Sequence, residues 1–256
     1  MTNEISTPPV EPVQPRLQVV ESPNHKPVVT YTILGITVFV FLLQMATLSW
    51  LKVDLPGIWG AKINEAIIAG QVWRLFTPML LHDDHMFLHI ASNMYFLAIV
   101  GPRLEKFAGH WAFLLLYVVA GFAGNVFSFL FTANPSWGAS TALFGLLGAQ
   151  VVFVMHNKSF LEDDGKAALQ NALTLIGINV VIGFIIQADN WGHIGGVVGG
   201  ALFAWFGGVK LDLQEIAFPN FRLADVRSGR EKLFGAALVM FVFGGLAALK
   251  IAGIAF

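Results

Sequence analysis

Seven apolar runs, each close to the length that crosses a bilayer, leave this chain few ways to fold. They lie near residues 29–50, 87–101, 111–132, 140–156, 168–187, 192–209 and 233–254. A helix of about 20 apolar residues spans the ~30 Å hydrocarbon layer. In lipid, only helices and closed barrels satisfy their own backbone hydrogen bonds. The predicted fold is therefore all-α, a polytopic membrane helical bundle. Charged residues are only 12% of the 256, half the share usual in soluble domains. Runs four and six are short and contain glycine, which suits helices enclosed by other helices.

Residues 1–28 carry six prolines and no apolar core. They read as a disordered cytoplasmic tail rather than a cleavable signal. A six-span core then occupies 29–210, a basic cytoplasmic loop 211–232, and an additional C-terminal transmembrane helix 233–256. A net charge of −1 gives no sign of a nucleic-acid partner. The absence of cysteine excludes disulfides, thiolate metal sites and a cysteine nucleophile.

Lysine and arginine concentrate in cytoplasmic loops. With the amino terminus inside, eleven of the fifteen fall on inner segments, five of them after run six (Lys210, Arg222, Arg227, Arg230 and Lys232). Runs two, four and six then enter from the outer side, so their first turns share one leaflet. At those turns sit His89 and Asn93, Ser140, and His193. Polar side chains inside spans are costly and point to function by default. Asn125, Gln150 and Asn179 read as interhelical hydrogen-bonding groups. The long outer segment 51–86 carries helical apolar spacing from Glu65 to Phe76, with Trp73 and Arg74 at its polar edge, and suits the membrane interface.

Ser140 stands where a polar loop, Asn134 to Ala139, meets an apolar helix. Alone, such a serine is a helix cap whose hydroxyl accepts a free backbone N–H. Beside an imidazole it becomes a nucleophile. Gly192, Gly196 and Gly200 repeat every fourth residue, as do Gly195 and Gly199. Such spacing lets a neighbouring backbone approach closely. If that neighbour is span four, His193 meets Ser140. His89 and Asn93, one turn apart, point the same way and can donate to an oxyanion, as can the backbone N–H groups at the start of span four. Asp189 is in position to orient His193 but lies in an outer loop, where solvation is the simpler reading.

Competing chemistries fit less well. His82, Asp83, Asp84, His85 and His89 offer metal ligands, but no His-Glu-x-x-His pattern exists and no acidic residue lies in a predicted span to complete a site. The soluble hydrolase elbow needs Gly-x-Ser-x-Gly after a strand; here Gly-Ala-Ser-Thr-Ala follows a loop. A transporter would show internal repeats and broken helices.

At these residues the chain resembles the rhomboid family of intramembrane serine proteases. The likeness rests on Gly138-Ala139-Ser140 heading one span and His193 with its small residues heading another. His89-x-x-x-Asn93, Trp73-Arg74 and Arg103-Leu104-Glu105-Lys106 add to it. Together these features cover about residues 70–210. The resemblance implies a Ser140–His193 dyad without an aspartate, and oxyanion contacts from His89, Asn93 and the Ser140 backbone. It further implies supporting roles for Gly138, Trp73 and Arg74, and Phe144 stacked on the histidine. Thr141 follows the nucleophile where many members have glycine. No cofactor and no metal are implied. The expected substrates are single-span membrane proteins cut in or near their helices within the lipid bilayer. The expected location is a bacterial plasma membrane, with the site toward the outer side. The alternative is a non-catalytic rhomboid-like protein that binds membrane clients, against which the retention of both Ser140 and His193 argues.

Overall fold

A computed structural model describes residues 20–83, 86–185, 188–217 and 220–254. A two-residue strand β1 (Val20–Glu21) precedes the first long helix, α1 (Val28–Leu51). The outer segment holds two short helices, α2 (Leu55–Gly60) and α3 (Asn64–Ile68), and two 3₁₀ turns, Val72–Leu75 and Thr77–Leu80. Then come α4 (Phe87–Ala108), α5 (His110–Phe131), α6 (Ser140–His156), α7 (Lys158–Ile185) and α8 (Asn190–Gly207). Strands β2 (Leu211–Ala217) and β3 (Asn220–Asp225) lead to the last helix, α9 (Gly229–Ile251). Most of the Pro-rich tail, residues 1–19, lies outside the described residues, as do Asp84 and His85.

The helices coincide with the seven apolar runs, but two overshoot. α4 continues seven residues past its run and α7 begins ten residues before its own. Both extensions are charged turns, Arg103 to Lys106 and Lys158 to Lys166. Hydropathy marks where a helix meets lipid and says nothing about where it ends. Among the described residues, four helices are long and apolar enough to cross a membrane: α1, α5, α7 from Asp163, and α9. The chain is an integral membrane protein. α5, α6 and α8 pack most closely and form the interior, while only 11% of the apolar window of α7 is covered by the rest of the protein.

Residues 211–232 are not the simple loop that the sequence predicts. β2 and β3 pair antiparallel, and β1 joins β3 in parallel, giving the order β1-β3-β2. Leu211 and Leu213 alternate with Asp212 and Gln214, a period of two that signals a strand but spans too few residues to stand out. Asn157, fully buried just past the end of α6, anchors this sheet. Its Nδ2 donates to the Val209 carbonyl at 3.0 Å and its Oδ1 accepts the Leu211 N–H at 2.6 Å.

The start of α1 depends on a side chain 75 positions away in sequence. No local residue caps this helix. Instead the buried Glu105 of α4 accepts from the backbone N–H groups of Val29 and Thr30, at 2.9 and 2.8 Å, and from Thr30 Oγ1 at 2.6 Å. A carboxylate there satisfies orphan donors and meets the positive end of the helix dipole. Glu105→Ala leaves them buried and unpaired, and is expected to lower stability by about 3 kcal/mol. Unfolding in a mixed-micelle titration measures that loss.

Candidate active site

Ser140 opens α6 and His193 sits in the first turn of α8. Ser140 Oγ lies 3.0 Å from His193 Nε2. Glycines make that approach possible. The bare faces of Gly196 and Gly200 meet the α6 backbone at Thr141 and Gly145, while Gly195 and Gly199 meet Phe127 and Ala123 of α5. The two predicted glycine series therefore serve two different neighbours. Thr141 is accommodated in the same way. A Cβ on Gly124 of α5 would stand 2.6 Å from the Thr141 Cβ, so glycine across the interface makes room for the threonine.

Ser140 is not the cap of its helix. The cap position is Ala139, and no side chain bonds there. The hydroxyl is turned to the imidazole instead. Phe144, one turn along α6, stacks flat on His193 with ring centroids 4.2 Å apart and planes 5° from parallel. His193 Nδ1 is buried and has no hydrogen-bond partner among the described residues. Asp189 neither orients the ring nor stands in solvent: its Oδ1 accepts from the Gly192 N–H at 3.0 Å and from Thr132 Oγ1 at 2.9 Å. It caps α8 and ties that cap to the end of α5.

His89 and Asn93 line the same cavity as Ser140 and His193, a space of about 560 Å³ bounded also by Trp137, Phe144 and Asn179. His89 Nδ1 faces the Asp83 N–H at 3.5 Å. With Nδ1 accepting, the ring proton sits on Nε2. That nitrogen is directed at Gly138, where a Cβ would come within 2.9 Å of it. Gly138 has φ +137, a conformation that side chains disfavour. Asn93 gives one amide hydrogen to the His89 carbonyl at 2.8 Å and keeps a second. The buried ring of His82 stands edge-on to His89 at 5.1 Å, and burial holds it near a pKa of about 3, so it is neutral.

Arg74 is not at a polar edge. It is buried, donating to the carbonyls of Ala61 and Ile58 at 2.7 Å each and to Gln71 Oε1 at 2.7 Å. Exposed Trp73 donates to the Trp59 carbonyl at 3.1 Å. Both therefore hold the outer segment together and neither lines the cavity. Asn125 bonds this segment too, at the Leu75 carbonyl, rather than another helix. Gln150 of α6 does join a neighbouring helix, at the Ala168 carbonyl of α7, whereas Asn179 bonds the Leu175 carbonyl of its own helix. The sequence reading has no role for Lys62, which is fully buried behind the loop that leads to Ser140.

Residues 69–210 match the Rhomboid domain family, a stretch that contains Trp73, Arg74, His89, Asn93, Gly138, Ser140, Phe144 and His193. The chain belongs to the rhomboid family. It is 38% identical over 179 residues to "Rhomboid protease GluP" of Bacillus subtilis, a match covering 69% of this chain and 34% of that protein. Two Arabidopsis thaliana proteins are also similar. "RHOMBOID-like protein 9, chloroplastic" is 34% identical over 60% of this chain and 35% of its own length. "RHOMBOID-like protein 6, mitochondrial" is 31% identical over 71% and 60% respectively. The chain thus spans less than two thirds of the length of these relatives.

In this rhomboid the Phe144 ring packs flat on one face of His193. Phe144→Leu keeps an apolar group there but ends the stacking, which is worth about 0.5–1.5 kcal/mol. A stability loss of that size is expected, read in an unfolding titration.

Proposed function

We propose that this rhomboid is an intramembrane serine endopeptidase that works through a Ser140–His193 dyad. The observation that carries the reading is the 3.0 Å contact between Ser140 Oγ and His193 Nε2 at the wall of a large cavity. Ser140 Oγ attacks the substrate carbonyl carbon while His193 Nε2 takes the hydroxyl proton. In this reading the tetrahedral oxyanion is met by donors of residues that line the cavity: His89 Nε2–H, the second Asn93 amide hydrogen and the Ser140 backbone N–H. Collapse expels the amine, which receives the proton from His193. Water entering from the polar side then hydrolyses the acyl-enzyme by the same steps.

The substrates in this reading are single-span membrane proteins. A stable helix hides its carbonyls in its own hydrogen bonds, so a segment that unwinds easily is the one whose carbonyl reaches Ser140. The charge bias of the loops puts the amino terminus in the cytoplasm and the dyad near the outer face. The six-span core, 29–210, would then carry the chemistry, with the seventh span added behind it.

Reconstitution in liposomes with a single-span substrate tests the reading. Wild-type protein should cleave it and should be labelled at Ser140 by a fluorophosphonate. Cleavage surviving in Ser140→Ala sinks the serine mechanism. Binding of the substrate without cleavage by wild type would favour a client-binding role.

A further inference from the structure

The loop between α5 and α6 carries Gly138 and delivers Ser140, yet it forms no helix or strand of its own. What holds it is the outer segment. Lys62, fully buried, pairs its backbone with Ser136 in both directions: Lys62 N–H to the Ser136 carbonyl at 3.0 Å, and Ser136 N–H to the Lys62 carbonyl at 3.1 Å. Its ammonium donates to three oxygens, the carbonyls of Asn134 at 2.7 Å and Thr132 at 2.9 Å, and Asn64 Oδ1 at 3.2 Å. Asn64 in turn donates to the Thr132 carbonyl at 3.1 Å. Three N–H donors meet three acceptors, which no neutral side chain of this length can do. Asn134, Ser136 and Trp137 line the catalytic cavity on the other side of the loop.

We infer that Lys62 is a positioning residue of the active site, splinting residues 132–136 from behind so that Gly138 and Ser140 are held at the depth of His193. The inference deepens the protease reading and rests on it for its kinetic consequence. Burying a lysine is costly, and a merely apolar filler would pack this space without that cost. The ammonium is retained because the last carbonyl groups of α5 and of the loop need a donor there. Charges reach it from three neighbours: Glu65 on α3, Asp189 at the head of α8, and Lys250 on α9. Burial dominates and pulls the Lys62 pKa down to about 8, against the opposing effect of Asp189. Above that pH the neutral amine has two N–H groups for three oxygens, and one contact is lost.

The test uses the full chain in liposomes, comparing wild type with Lys62→Met by hydrogen–deuterium exchange and by the rate of fluorophosphonate labelling. Residues 132–139 should exchange faster in Lys62→Met while α4 is unchanged. Labelling of folded protein should fall by about 100-fold, the effect of shifting a reacting group by about 1 Å. The wild-type rate, corrected for probe hydrolysis, should also fall as pH rises through about 8, and Lys62→Met should lack that limb. Unchanged exchange over 132–139 overturns the proposal, as does faster exchange with unchanged labelling. If Lys62→Met does not fold, Asn64→Leu removes one of the three oxygens and must move both readouts in the same direction; no movement overturns the proposal. A wild type that never labels defeats the protease reading instead, and the exchange arm still decides whether Lys62 holds the loop.

Discussion

Ser140→Ala, His193→Ala and the double variant are expected to fall to one common floor of cleavage, on the order of 10⁴- to 10⁶-fold below wild type. In the proposed mechanism the hydroxyl, a weak nucleophile at neutral pH, attacks only as its proton leaves. His193 Nε2, at 3.0 Å, is its one imidazole partner among the described residues. With either member gone the other has nothing to do, so the losses cannot add. Purely structural roles for two residues on separate helices would give losses that combine instead. Parallel kinetics on the three variants, normalised to folded protein, separate the cases. His89→Ala should retain more activity, because losing one oxyanion donor costs about 10²- to 10³-fold. Residual cleavage in the double variant well below that of either single one would overturn the dyad.

Much of this architecture is legible in the sequence, and the legible part has a common cause. Lipid demands long apolar helices, so the seven runs announce themselves. The glycine series on α8 announces a close neighbour, and Ser140 is where that neighbour begins. What stays hidden is the network of buried polar groups whose partners lie far along the chain. Glu105 reads as part of a charged helix end, yet it caps α1. Gln44, in the first apolar run, has no role assigned from the sequence, yet it exchanges two hydrogen bonds with the His82 backbone, at 3.0 and 3.1 Å. Arg74 reads as the polar edge of an interfacial segment and Lys62 has no assigned role, yet both are buried against carbonyl groups. In each case a side chain of ordinary surface type completes backbone groups that only the tertiary fold leaves unpaired. The Ser140 cap yields for the opposite reason: a local rule is sound until a better partner, His193, arrives from another helix.

Gly196→Leu should remove activity almost as completely as loss of the dyad, although Gly196 does not line the cavity. A Cβ at Gly196 would stand 2.0 Å from the Thr141 carbonyl oxygen, and one at Gly200 2.0 Å from that of Gly145. These are backbone atoms, which cannot swing aside as a side chain would. The only relief is for α8 to move away from α6. Thr141 adjoins Ser140, and His193 lies one turn before Gly196, so the displacement is applied at the dyad itself. An added separation of about 1 Å carries a 3.0 Å contact out of hydrogen-bonding range. Overpacking of this kind also costs about 1–3 kcal/mol of stability. The two effects are separable by measuring fluorophosphonate labelling per folded molecule beside an unfolding titration. Gly177→Ala on α7 is the control, since a Cβ there meets nothing within 4 Å. It should leave labelling intact and raise stability by about 0.5–1 kcal/mol through helix propensity. If Gly196→Leu folds and still labels at the wild-type rate, the helix contact is not what sets the dyad distance. Alanine at Gly195 presses on Phe127 and α5 instead, so it should destabilise the bundle while leaving the α6–α8 spacing, and hence the chemistry of the surviving folded molecules, less disturbed.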